Sequence, residues 1–157
     1  MRPVIPRWTY YSIILGSVIF LIALAVSAFF VPQLRILHLL QALIYVAIII
    51  LARRNSPWGL GIGVIISLFW NCLNLFVTHL FQAGAGQLAS ALHGRHITRP
   101  DTMMVFIGGM GHFILIFSCI AAFVKLKPAR KQWLQFFVGG FLAVVYLIVI
   151  VMLVAPS

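Results

Sequence analysis

A chain of 157 residues that is 64% hydrophobic and 8% charged is too apolar for a water-soluble domain of its size, and no polar linker divides it, so it reads as one integral membrane domain. Its formal charge of +10 comes from eleven lysines and arginines against a single acid, Asp101. That shortage of carboxylates excludes paired-acid hydrolysis, a carboxylate cage for Mg²⁺ and carboxylate-based proton coupling. A nucleotide-binding loop, HExxH and GxSxG are also absent, which argues against an autonomous enzyme.

In chain order, spans are expected at about residues 10–31, 34–52, 58–82, 102–123 and 133–154, giving an all-α integral membrane protein, a five transmembrane helix bundle with a short interfacial segment between the third and fourth helices. The first run, Tyr10 to Val31, follows Arg2 and Arg7. Its length exceeds a signal-peptide core and a second run begins almost at once, so a retained helix is expected. Ser12, Gly16, Ala23 and Ser27 make a small-residue stripe on it. Val31-Pro32-Gln33 is read as a tight turn, because proline excludes the helical state at the residue before it. The second run, Leu34 to Ala52, carries Arg35, His38, Gln41 and Tyr45 within an arc of about 120°. Arg53-Arg54-Asn55-Ser56-Pro57 ends it.

The third run is expected to stand at the centre. Gly59, Gly63, Ser67, Asn71, Asn74, Thr78 and Gln82 fall on one stripe at about 100° per residue. The small residues at its start permit close helix approach, and the asparagines above them need partners, since unpaired amides in hydrocarbon are costly. Residues Ala83 to Pro100 are too polar and glycine-rich to cross. They are read as a loop with a short interfacial helix carrying Leu88, Ala91 and Leu92, or as a re-entrant segment. Asp101 is expected to cap the fourth helix, Thr102 to Phe123. That helix holds Gly108-Gly109-Met110-Gly111-His112, whose glycines imply close packing. Lys125, Lys127, Arg130 and Lys131 form a basic connection to the fifth, which carries Gly139, Gly140 and Ala143. No repeat relates the halves, so a repeat-built transporter finds no support. Cys72 and Cys119 differ in depth by about 15 Å and belong to no CxxC motif, so both are read as packing residues.

Charge sets the expected orientation. The side holding the N-terminus and the loops after the second and fourth helices has eight bases, Arg2, Arg7, Arg53, Arg54, Lys125, Lys127, Arg130 and Lys131, and the other has three, Arg35, Arg95 and Arg99. The positive-inside rule then predicts an inner (plasma) membrane protein, its N-terminus cytoplasmic and its C-terminus outside, with Trp8, Trp58 and Trp133 at the cytoplasmic boundary. The expected partners of the bases are anionic lipids at that face, not nucleic acid.

Depth supplies the functional clue. His38, Gln41, Asn74, Thr78 and His79 fall in the outer half, Asn71 slightly deeper, and Tyr45 and His112 near the midplane, while the cytoplasmic half is nearly all apolar. This predicts an outward-facing polar pocket lined by His38, Gln41, Tyr45, Asn71, Asn74, Thr78 and His112. It would bind a small amphipathic ligand or seat a partner membrane protein, another copy of the chain included. Against it stands plain interhelical bonding, at about 0.6 to 2 kcal/mol per pair. The alternative from another class is a haem- or metal-containing redox subunit with imidazole ligands from His38, His79, His93 or His96, which lie at depths far from His112. The size and five-span plan are similar to the tryptophan-rich sensory protein family of small ligand-binding membrane proteins; the likeness is one of plan, and no residue role is carried over from it.

Overall fold

The computed structural model describes residues 4–154. Arg2, counted above among the cytoplasmic bases, lies outside them. Six α-helices follow in order: α1 (Arg7–Phe30), α2 (Arg35–Arg53), α3 (Pro57–Cys72), α4 (Leu80–Leu92), α5 (Pro100–Lys125) and α6 (Arg130–Val154). A 3₁₀ turn, Pro32–Leu34, joins α1 to α2, and a π-helical segment, Leu73–Val77, extends α3. Five helical stretches are long and apolar enough to cross a membrane: α1, Pro32–Arg53, Pro57–Val77, α5 and α6. There is no strand among the described residues.

The helices meet where glycine lets backbones approach. Gly16 on α1 faces Gly111 on α5, and a Cβ on Gly16 would come within 2.7 Å of the Gly111 carbonyl oxygen. The predicted stripe on α3 turns towards α2 and α5, with Gly59 against Leu51 and Gly63 against Ile48 and Cys119. Gly61, which lies off that stripe, makes the tightest approach: a side chain there would fall on the Phe136 carbonyl of α6. Gly139 sits on the Trp58 backbone and Gly140 on Ile65 in the same seam. The centre of the bundle is therefore a pair of helices. α3 packs on α2, α5 and α6, whereas α5 packs on α1, α3 and α4.

One end of the bundle gathers Arg7, Arg53, Arg54, Lys125, Lys127, Arg130 and Lys131 and is called here the basic end. There Asn55, at φ 53, accepts the Ile5 amide N–H at 2.8 Å and closes the α2–α3 turn. Ile48, Leu60, Val64, Leu115, Ala122 and Phe123 form a continuous buried core in this half.

The opposite end differs from the sequence expectation in two places. The third span was expected to run to Gln82. Instead the helix loosens into the π segment and breaks at His79, whose φ of 55 is left-handed. From there α4 packs on α5. It climbs along the start of α5, with Gly84 against Thr102 and Phe106, and Phe81 against Gly109 and Phe106. Gln87 closes the loop by accepting the backbone N–H groups of Thr98 and Arg99, at 3.0 and 3.2 Å. Contacts run monotonically from Gly63–Cys119 through Asn71–Gly109 to Gly84–Thr102, so α3, the π segment and α4 form one jogged path antiparallel to α5.

The second difference concerns Asp101. The N-cap of α5 is Arg99, with Pro100 at the first helical position. Asp101 still lies in the first turn, where a negative charge suits the helix dipole. Its carboxylate, however, is taken by the Arg99 guanidinium, through Nε at 3.2 Å and Nη2 at 2.9 Å.

Candidate functional site

Away from the basic end, α2 and α5 stand apart, and a cavity of about 280 Å³ opens between them. α1 closes one side with Phe20, Ala23, Leu24 and Ser27. Trp70 of α3 and Asn74 of the π segment close the other, and Arg99, Asp101 and Thr102 stand at the start of α5.

The floor is a chain of hydrogen bonds that ties α2, α5 and α3 together. Tyr45 Oη lies 2.7 Å from His112 Nε2, and His112 Nδ1 lies 3.1 Å from Asn71 Oδ1. The Asn71 amide in turn donates to the Gly109 carbonyl at 3.4 Å. That last bond makes Asn71 Oδ1 an acceptor. His112 must then carry its proton on Nδ1, and Nε2 accepts from the Tyr45 hydroxyl. Every donor in the chain points the same way, and the sequence of bonds ends on a backbone carbonyl. Tyr45 and His112 are 0% and 1% exposed. Phe20 stacks on the imidazole at a centroid distance of 4.0 Å and packs against the Tyr45 ring at 4.4 Å. Both imidazole nitrogens of His112 therefore have partners, Tyr45 and Asn71.

The seven residues expected around a pocket separate into three groups. His38, Gln41, Asn74 and His112 line the cavity. Tyr45 and Asn71 stand behind His112 and hold it. Thr78 is exposed at the helix break, where its hydroxyl bonds the Leu73 carbonyl and Asn74 Oδ1. Asn74 and Gln82 share that task, donating to the carbonyls of Trp70 at 2.9 Å and Leu75 at 2.8 Å. The end of the polar stripe away from the basic end thus bonds to carbonyls of its own helix and of the break rather than to another helix. Its spacing of about four residues fits that role as well as it fits an interhelical one, and periodicity alone does not separate the two.

Several lining residues carried no functional reading in the sequence. Trp70 stands one position before Asn71, off the polar stripe, and Phe20 looked like any apolar residue of the first span. Arg99 and Asp101 were read as boundary residues, and only their mutual pairing brings them to the cavity.

Two polar atoms on the cavity wall are buried with no hydrogen-bond partner among the described residues, Trp70 Nε1 and His38 Nδ1. Gln41 is 2% exposed, and the little surface it keeps faces the cavity.

Among the described residues, no group of three or more His, Cys, Asp or Glu side chains is placed to hold a metal ion. His112 has both nitrogens engaged, and His93 Nδ1 lies 2.7 Å from the Ala89 carbonyl on its own helix. His38 is on the cavity wall while His79 is exposed at the break. Cys72 is exposed and Cys119 buried, both as free thiols. No protein-family model matches the chain, and neither does any curated protein or solved structure.

Proposed function

We propose that this chain is a multi-pass inner-membrane protein, its N-terminus cytoplasmic and its C-terminus outside, that binds a small amphipathic ligand in the cavity between α2 and α5. The observation that carries the reading is the pair Trp70 Nε1–H and His38 Nδ1, buried on the cavity wall without a hydrogen-bond partner among the described residues. Polar groups buried in this way cost free energy that a ligand or ordered water recovers. At about 280 Å³ the space is at the lower limit of ligand pockets. Its walls combine apolar side chains with a few polar groups, as such pockets do. The orientation rests on the charge count: the basic end faces the cytoplasm, so the cavity opens outwards.

Cysteine accessibility tests this directly. With Cys72 replaced by serine and the buried Cys119 left in place, Asn74→Cys is expected to react with a small membrane-impermeant thiol reagent added from outside. Ser67→Cys, deeper on the same helix and 0% exposed in the native chain, is expected to stay protected. If Asn74→Cys is unreactive in a folded protein, or reacts only when the reagent is given from the cytoplasmic side, the outward cavity is refuted.

A further inference from the structure

The chemistry of the cavity wall narrows the class of ligand, an inference that rests on the ligand reading above. Arg99 and Asp101 are the only permanently charged side chains on the wall, and they bind one another through two hydrogen bonds. A ligand carrying a single charge would meet no unpaired counter-charge, and a charge taken from water without one is strongly disfavoured. His112 has no nitrogen free, since Tyr45 and Asn71 occupy both. What remains is uncharged: the buried, unpartnered Trp70 Nε1–H and His38 Nδ1, with the Gln41 amide and the Ser27 hydroxyl on the same wall.

These groups also give a direction. Gln41 stands one helical turn from Tyr45, beside the closed floor. Leu24, Leu34, Leu37, Met104 and Val105 line the cavity as well, and of these Leu37 on α2 and Leu34 in the 3₁₀ turn before it lead from Gln41 back to the open end.

We propose that the ligand is an uncharged amphipath whose head bears a carbonyl or hydroxyl oxygen, and that it enters head first. The oxygen accepts from the Gln41 amide at the floor, and the apolar body fills the channel towards Leu34 and Val105. A primary amide, a ketone or an alcohol on a hydrocarbon chain meets this description. A fatty carboxylate or an alkylammonium does not.

Four probes that share one ten-carbon chain test the assignment: decanamide, decanoate, decylamine and decane. Each is titrated calorimetrically into the purified protein in a neutral detergent, with protein-free micelles as the blank. Decanamide is expected to bind saturably, about tenfold or more tighter than the other three, the difference a single well-placed hydrogen bond makes. Gln41→Leu is expected to bring decanamide down to the level of decane. Gln41→Met, closer in shape, does the same if the leucine variant fails to fold. The head-group assignment is overturned, with the ligand cavity still standing, if decanoate or decylamine binds as tightly as decanamide. The same follows if decanamide is indifferent to both Gln41 variants in protein of native elution and helicity. If no probe gives saturable heat above the blank, the cavity holds only water, and both this assignment and the ligand reading fall.

Discussion

The two ends of this bundle are built on different principles. Towards the basic end, glycines set helix backbones against each other: Gly59 on Leu51, Gly61 on Phe136, Gly139 on Trp58. No room is left there for anything but a helix. At the other end a cavity lies between α2 and α5, α3 changes to a π segment, and polar side chains line the space. Surrounded by lipid tails, helices gain little from hydrophobic burial against one another, so association depends on close packing and interhelical hydrogen bonds. The basic end uses the first device throughout, the Tyr45–His112–Asn71 floor uses the second, and beyond the floor only the seam of α4 on α5, at Gly84, returns to the first. Where neither acts, the helices stay apart and a cavity remains.

Substitutions at two glycines should break the comparison most visibly. Gly61→Leu sets a side chain onto the backbone of α6 and is expected to abolish recovery of folded protein, read by elution profile and helicity after extraction. Gly86, on α4 at the open end, has nothing within 4 Å of where its Cβ would be. Gly86→Ala is therefore expected to stabilise slightly, by up to about 1 kcal/mol, because alanine is the better helix former. If both variants fold equally well, the basic end is not held by backbone packing. Gly140, which meets Ile65 on α3, belongs with Gly61 rather than with Gly86. Gly140→Leu should thus be as damaging as Gly63→Leu, although only the second glycine lies on the stripe visible in the sequence.

The polar floor should come next in size. His112→Leu keeps the volume roughly but leaves the Tyr45 hydroxyl and Asn71 Oδ1 without their partner. The expected loss is about 1 to 3 kcal/mol in detergent-titration unfolding. Tyr45→Phe removes one donor and should cost about 1 kcal/mol. The double variant is expected to lose less than the sum, since the two residues share one bond. Strict additivity would mean that the 2.7 Å contact contributes nothing to stability.

How far the sequence reveals this molecule depends on the range of the interaction that decides each feature. The five long apolar stretches are local, and each is found within a few residues of its expected place. The faces of α2, α3 and α5 follow from helical period, which is why Tyr45, Asn71 and His112 could be singled out before their bonds were known. Gly61 was not singled out because it lies off the polar stripe, and which of two glycine faces meets the tighter neighbour is settled by α6, some seventy-five residues later in the chain. Asp101 looks like a cap by type and position, yet Pro100 moves the helix start and Arg99 competes for the carboxylate. The docking of α4 rests on Phe81 fitting over Gly109, a match of shape that leaves no pattern in composition.

The break between α3 and α4 was equally hidden, for neither glycine nor proline marks it, and it yields the smallest of the expected effects. His79 adopts φ 55 and ψ 15 with an exposed side chain. A left-handed conformation costs a residue with a Cβ about 1 to 2 kcal/mol. The surroundings hold it there: across the break Gln82 donates to the Leu75 carbonyl and the Leu80 N–H donates to the Thr78 hydroxyl. His79→Gly relieves that strain but adds about 0.5 to 1 kcal/mol of chain entropy to the unfolded state. The two terms nearly cancel, and the variant is expected to unfold within about 1 kcal/mol of the native chain. His79→Val, with a branched Cβ that fits the left-handed region badly, should lose about 1 to 2 kcal/mol. That order, glycine tolerated and valine not, would show that this position serves the open end through its backbone. If instead glycine and valine are equally damaging, the imidazole itself holds the break, and the contrast between a packed end and an end opened by a helix break must be drawn from the side chain of His79.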